Sequence, residues 1–388
     1  MHSGKYKTGA AVKAMAASQR DPNLARIAEA VLADRPLGFA QGVYLYRRAA
    51  LDDVRTLAAY RKQTRHGDRV YYARSLCLAV GRGPARMARY SACPVAARTV
   101  DIDATVTPAD MERILLPYAG IGLTGVSVTT NVTKPSADAP ASVDWWCALL
   151  RAIKHTLPHV RIEACAPADI GAMAERGGIT LETTLSRLCG AGLGLLAGGG
   201  IGGGTADDLG GMQRALCEWI AVHRRAHDAR LDATVVFDHG RGRTPEQRVV
   251  HLLAVRDFQQ ETLASGRPAF GRLALVRHGV RPHRARGASW DDDLRNYAVA
   301  RLMAHNVEHI GIDAALDADR AVRAVAYGAD DFGGYASASA VDALVRHLSD
   351  MGAVPIERDR ADALPKRHHH HNLQPPCESD TAWPVAPS

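Results

Sequence analysis

The chain is expected to be an α/β protein of the (β/α)8, TIM-type class, with an N-terminal helical extension and a C-terminal helix. Three observations predict this. Val-, Ile- and Leu-rich stretches recur over 69–79, 124–130, 159–165, 192–196, 231–237, 271–276, 308–312 and, less regularly, 323–328. Amphipathic segments with helical spacing alternate with them over 107–117, 142–156, 180–190, 212–229, 244–264, 290–304 and 314–322. Gly and Pro punctuate the joins. Strand–helix alternation sustained over so many rounds calls for a parallel sheet, and its count and length favour a barrel over a doubly wound sheet.

Taken in order, residues 1–20 read as a mobile basic leader and 21–65 as helices packed on the barrel. In the second segment Leu24, Ile27, Ala28, Val31 and Leu32 recur at spacings of three and four, and two more helices are expected over 38–48 and 51–65. The barrel itself is assigned to 66–335. Thr107-Pro108-Ala109-Asp110 and Thr244-Pro245-Glu246 start two of its helices, with Pro at the first helical position and an acid in the first turn. Residues 336–359 hold a last helix, 338–351, and a short strand, 354–357. From 360 to 388 the run His368-His369-His370-His371 leads into a Pro- and Ser-bearing tail without periodicity, read as disordered.

Composition narrows the function classes. With 47% hydrophobic and 23% charged residues, the 388-residue chain can bury a full core and is no disordered protein. No run approaches the roughly 18 apolar residues of a membrane span. No apolar core long enough for a secretory signal follows Met1, so the cytoplasm is the expected compartment. The net charge of +7 invites a nucleic-acid reading, but the 41 Arg are scattered singly and aromatics are only 5%, so stacking platforms are scarce and no specific nucleic-acid partner is expected. Seven widely spaced cysteines form no C-x-x-C pair, which suggests neither a disulfide framework nor a zinc ribbon. Most read as small buried apolar residues.

In a parallel barrel, chemistry gathers where strands end. Those positions are Thr130 and Asn131, then Cys165 to Asp169, then the glycine run from Gly198, Gly199 and Gly200 to Gly204, then Asp238 and His239, Arg277 and His278, and Asp313. The glycine run lacks both the G-x-G-x-x-G spacing and G-K-[ST], so it is either a loop whose backbone approaches a ligand or a flexible connection. Asp238 and His239, directly after an apolar strand, are the candidate acid–base or ligand pair. His223, His227 and His251 fall on helices and read as solvated faces.

Several strings resemble the radical-SAM family that includes aminofutalosine synthase and the related subunit of F420-precursor synthase. They are Arg65-His66-Gly67-Asp68-Arg69-Val70-Tyr71-Tyr72, Leu149 to Lys154, the Gly198–Gly200 run, and Ala233-Thr234 through Asp238-His239 with Arg248, His251 and Arg256. Ala298 to Met303 with Asn306 and His309-Ile310, then Tyr327-Gly328-Ala329-Asp330-Asp331, and Pro355 to Asp359, complete the set. The resemblance covers about residues 25–360, and the His after the fifth strand favours the aminofutalosine synthase branch.

The resemblance implies a [4Fe–4S] cluster on C-x3-C-x2-C and S-adenosylmethionine as cofactor, and here the sequence departs from it. Aligning Cys93 with the third ligand puts Arg86 and Tyr90 at the other two, neither a normal cluster ligand. No metal is therefore expected at that motif, and both cofactors are in doubt. The glycine pair that receives the cofactor's amino group corresponds to Thr130 and Asn131, the family's Glu after strand three to Asp169, and a second Glu to Gly202.

Three functions compete. The first is a pseudoenzyme that binds a nucleoside-like small molecule in the same pathway, the futalosine route to menaquinone. Asp169, Thr130, Asn131, Gly198, Gly199, Gly200 and Arg277 would line its pocket. The second is a repurposed barrel enzyme using Asp238 and His239, with Asp169, Arg277 and Asp313, for acid–base or metal chemistry. The third is an active radical enzyme with an unusual cluster. Whether the chain is an enzyme, and its oligomeric state, stay open at this point.

Overall fold

The computed structural model describes residues 3–80, 99–102, 106–130, 142–198, 209–239, 243–276, 290–312, 318–333 and 338–358. Its strands are β1 (Arg69–Tyr72), β2 (Ser75–Val80), β3 (Thr99–Ile102), β4 (Gly125–Thr130), β5 (Arg161–Ala164), β6 (Leu193–Leu196), β7 (Asp232–Asp238), β8 (Phe270–Val276), β9 (His309–Ile312), β10 (Asp331–Phe332) and β11 (Val354–Glu357). They form one sheet in the order β11-β1-β10-β9-β8-β7-β6-β5-β4-β2-β3. Every pairing in it is parallel.

The TIM-type α/β class expected from the sequence is the one observed, as a curled sheet. Its seam explains why the stretch 69–79, read as one strand, is two. Ala73 N donates to Phe332 O at 3.0 Å on one side, while Arg74 O accepts from Thr124 N at 2.8 Å on the other. The dipeptide thus carries the chain from one end of the curl to the other. The sheet meets itself covalently there, while β11 and β3 extend beyond the meeting point as edges.

The helices are α1 (Ser3–Ala16), α2 (Pro22–Leu32), α3 (Phe39–Arg47), α4 (Leu51–His66), α5 (Pro108–Leu115), α6 (Val143–Thr156), α7 (Pro167–Gly177), α8 (Leu181–Gly190), α9 (Leu209–Asp228), α10 (Pro245–Ala264), α11 (Trp290–Met303), α12 (Ala318–Val325) and α13 (Ala338–Asp350). Three readings need correction. Residues 3–16, read as a mobile leader, form α1, with Val12 fully buried. Of residues 323–328, read as the eighth strand, 323–325 end helix α12, which buries Ala324 and Val325, and 326–328 form a turn; β10 takes the strand's place. Residues 167–177, assigned to no element by the sequence reading, are α7. The tail 360–388 lies outside the described residues.

The expected starts are built as the sequence implies. Asp21 caps α2, accepting from Asn23 N and Leu24 N at 3.1 and 3.0 Å ahead of Pro22. Thr107 with Asp110, and Thr244 with Gln247, close reciprocal boxes on α5 and α10.

Alternation along the strands divides the interior. Val126, Val128, Ile162, Val235, Phe237, Leu273, Leu275, Ile310 and Ile312 face the helices and join one continuous core. The alternate positions, among them Ser127, Thr129, Thr234, Asp238, Arg272 and Asp331, line the bore. Among the described residues no helix is long and apolar enough to cross a membrane.

Arginines fasten the N-terminal helices to the rest. Arg61 on α4 donates to Leu302 O at 2.9 Å, at the C-terminal end of α11, and Arg65 to Val307 O at 3.0 Å, in the loop beyond it. Arg256 on α10 reaches Leu37 O at 2.6 Å, and Arg295 on α11 reaches Leu45 O and Ala49 O at 2.6 and 2.8 Å. Carbonyls that a helix end leaves without partners are satisfied in this way by groups that also oppose its negative pole.

Candidate functional site

The strand ends place the predicted residues unequally. Asn131, Gly199, Gly200, Arg277 and Asp313 lie outside the described residues, as do Arg86, Tyr90 and Cys93. Thr130 ends β4, pairing with Val80. Of the rest, Gly198, Asp169, Asp238 and His239 have defined places.

Asp238 and His239 lie on opposite faces of the strand end. Asp238 sits at a bore-lining position of β7. His239 falls on the opposite face with Phe237, their ring centroids 6.2 Å apart, and is buried under α10 and α11. Its backbone N donates to Val276 O at 3.1 Å, and its carbonyl accepts from Arg248 at 3.2 Å. Its ring Nδ1 lies 3.4 Å from the Asn296 amide and 3.7 Å from Asp293. Asn296 in turn accepts from the Tyr46 hydroxyl at 2.9 Å and from Arg248 at 3.3 Å, and Arg248 pairs with Asp292 at 2.9 Å. Burial pushes the Tyr46 phenol well up, so it stays a neutral donor. The network runs from the N-terminal helical layer to the end of β7. It holds His239, and through the main chain it fixes the strand end that carries Asp238.

Asp169 serves the backbone. Its Oδ2 accepts from Ala166 N at 2.9 Å, closing the first turn of α7 just past Cys165, whose φ of 58° turns the chain off β5. Burial pushes its carboxyl up from the usual range.

Gly198 is needed for packing. A Cβ there would lie 1.7 Å from Thr234 O and 2.6 Å from Val235 Cα, so the chain leaving β6 can cross β7 only without a side chain. Its carbonyl accepts from the Trp219 indole at 3.4 Å.

Among the described residues the thiols offer no converging donor set. Cys77 is disulfide-bonded. Cys147 and Cys165 are buried and Cys189 is half-buried; burial pushes all three above the usual thiol range, while Cys217 is exposed on α9. The described residues do not fit a cluster held by three thiolates.

Two groups of residues escaped the sequence reading. His223 and His251, read as solvated, are buried against Trp219, Phe237 and Phe270, and burial pulls both imidazoles down to about 3. The other group lies at the opposite end of the barrel, where strands begin. There the fully buried Asp330 meets His309 Nδ1 at 2.7 Å, His66 Nε2 at 3.2 Å, Ile310 N at 2.7 Å and the Arg301 guanidinium. The signal for it was present: these residues come from three of the strings that carry the family resemblance.

No model of a known protein family matches the chain. Among curated proteins, the aminodeoxyfutalosine synthase of Thermus thermophilus is 27% identical over 378 residues, covering 88% of this chain and 95% of that protein. A 5-amino-6-(D-ribitylamino)uracil–L-tyrosine 4-hydroxyphenyl transferase of Methanoculleus marisnigri is 30% identical over 47% of this chain and 51% of its own length. The cyclic dehypoxanthine futalosine synthase of Halalkalibacterium halodurans is 26% identical over 50% of this chain and 52% of its own.

Among solved structures, the [FeFe]-hydrogenase maturase HydG superposes with a TM-score of 0.59 at 13% identity, over 90% of this chain and 78% of that one. Methylornithine synthase superposes with a TM-score of 0.56 at 15% identity, over 87% and 98%. These two share the fold. The similarity to the Thermus aminodeoxyfutalosine synthase runs nearly end to end.

Proposed function

We propose that this chain keeps the family's barrel as a binding protein for a nucleoside-like small molecule and does not carry the family's thiolate-held cluster. The observation that carries this is the spacing of its seven cysteines, at 77, 93, 147, 165, 189, 217 and 377. No three fall within the eight residues that C-x3-C-x2-C spans. A cuboidal cluster with one iron free for a cofactor needs three thiolates from the protein, and neither Arg86 nor Tyr90 replaces one. The ligand class follows the relatives, which are named for futalosine-type and ribityl compounds.

Asp238, at the bore end of β7, is the group suited to accept hydrogen bonds from ribose hydroxyls, and His239 holds the strand end that presents it. A second reading, a repurposed acid–base enzyme, rests on the same carboxylate and differs in requiring turnover.

The test has two arms. After anaerobic treatment with iron and sulfide, the chain is expected to show neither stoichiometric iron nor reductive cleavage of S-adenosylmethionine; finding both would overturn the cluster reading. Adenosine- and futalosine-like compounds are expected to raise its melting temperature, and Asp238→Ala to remove that rise. Loss of one charged partner costs about 1.5–3 kcal/mol, roughly ten- to a hundredfold in affinity. A wild-type chain that answers to no nucleoside would leave the binding reading without support.

A further inference from the structure

We propose that His66, His309 and Asp330 form a binding site for a divalent transition ion of the zinc class at the N-terminal face of the barrel. The site is separate from the ligand reading above, because it lies where β1, β9 and β10 begin and not where strands end.

The donors converge: one ligand atom from each residue lies within 4.8 Å of the others, and among the described residues no other group of three His, Cys, Asp or Glu does so. Two imidazoles and one carboxylate oxygen are a borderline-soft set suited to zinc and its neighbours. His66 and Asp330 are enclosed, while the His309 side chain keeps 13% of its surface in solvent and is the open side of the site.

The surroundings supply the orientation that metal ligands need. Asp330 Oδ1 is taken by Ile310 N and Arg301, which leaves Oδ2 as the oxygen facing both rings. The Glu308 carboxylate lies 3.8 Å from His66 Nδ1, the nitrogen that must keep its proton when Nε2 binds an ion. His66 Nε2 now lies 3.0 Å from Glu308 O, and that carbonyl also accepts from Arg301 at 3.1 Å. Turning the imidazole lone pair to an ion therefore strands no acceptor.

Both rings stack at 5.3 Å, with Tyr71 edge-on to each. Zinc–ligand bonds of about 2.0–2.1 Å put tetrahedral donors about 3.3 Å apart. The 3.2 Å pair already fits, and the 2.7 Å pair must open by about half an ångström. Arg301 and Lys62, the cations beside Asp330, oppose the ion and set the affinity below that of an all-anionic site.

The test uses the full chain with His368–His371 replaced by Ala in every arm, so that the tail cannot compete for metal. After chelator treatment and dialysis, zinc(II) is titrated by calorimetry and cobalt(II) by its visible spectrum. Expected are a single ion per chain, a tetrahedral cobalt spectrum, and a rise of a few degrees in Tm at zinc about a hundredfold above its Kd. His309→Ala should abolish all three. Glu308→Gln, on a partly exposed side chain that leaves the fold intact, should weaken zinc by about ten- to a hundredfold. Equal zinc uptake by wild type and His309→Ala, or none by wild type, would show a hydrogen-bonded cluster only and overturn the proposal.

Discussion

At the face where strands begin, ionised groups are buried against one another and against main-chain carbonyls: Arg61, Arg65 and Arg301 reach the end of α11 and the loop beyond it, and Asp330 collects two histidines, an amide and a guanidinium. At the face where strands end, Arg74 and Arg358 pair with Glu357 and Asp331, but the contacts that hold His239 are gentler. A phenol, an amide and an imidazole follow one another from Tyr46 through Asn296 to His239, with one ion pair, Arg248–Asp292, beside them. The difference teaches where this fold concentrates its stability. The first face resists substitution because each charge depends on another, while the second tolerates change in single neutral bonds.

The largest effect that tests this contrast is at Asp330. Asp330→Ala leaves Arg301 buried without its carboxylate, and loss of one partner from such a pair costs about 3–5 kcal/mol. A urea midpoint within error of wild type would remove the basis for the contrast.

Acid should act next. Burial, with the charges of Arg61, Arg65 and Arg256, pulls His305 down to about 3, and burial lowers His66 as well. Unfolded, each takes a proton near pH 6.5, as an ordinary histidine does. The unfolded chain therefore binds more protons than the folded one below that pH, and stability must fall as pH drops from about 6.5 toward the folded values. Asp330 works the same way lower down, since its carboxyl is held far below the usual range by Arg301 and the histidines and its stabilisation fades as pH falls below about 3.9. Urea midpoints at descending pH should decline, and His305→Gln should flatten the slope by about 1.4 kcal/mol per pH unit, the value of one proton. An unchanged slope would mean that His305 is protonated in the folded chain.

The smallest effect belongs to the strand-end face. Tyr46→Phe removes one neutral hydrogen bond to Asn296 and should cost about 1 kcal/mol, with little change in acid sensitivity. A cost matching that of Asp330→Ala would erase the distinction between the faces.

Most of the fold was legible because the alternation of β-branched runs with capped amphipathic segments leaves few topologies. What was not legible has physical reasons. Ala73-Arg74 breaks a continuous apolar stretch with no Gly or Pro, because the break is set by which neighbour each half pairs with. The stretch 323–328 has strand-like content, yet its first three residues close a helix that buries Ala324 and Val325.

The candidate residues were legible as strand-end positions and less so in what each side chain touches. Ala166-Pro167-Ala168-Asp169 has the same grammar as Thr107-Pro108-Ala109-Asp110, so the capping duty of Asp169 was open to the reasoning that found the other cap. Neighbouring residues on a strand point to opposite faces, which is why Asp238 and His239 part company. His66, His309 and Asp330 lie too far apart along the chain for spacing to join them.

The arginine bonds also set a timetable. Arg61 precedes its acceptor Leu302 by 241 residues. At about 5–20 residues per second, a ribosome needs roughly 12–50 s to make the intervening chain. Through that interval α2 to α4 wait without the end of α11, their guanidinium groups still in water. The first helices synthesised are thus locked late, and their docking reports that the chain has been made through α11.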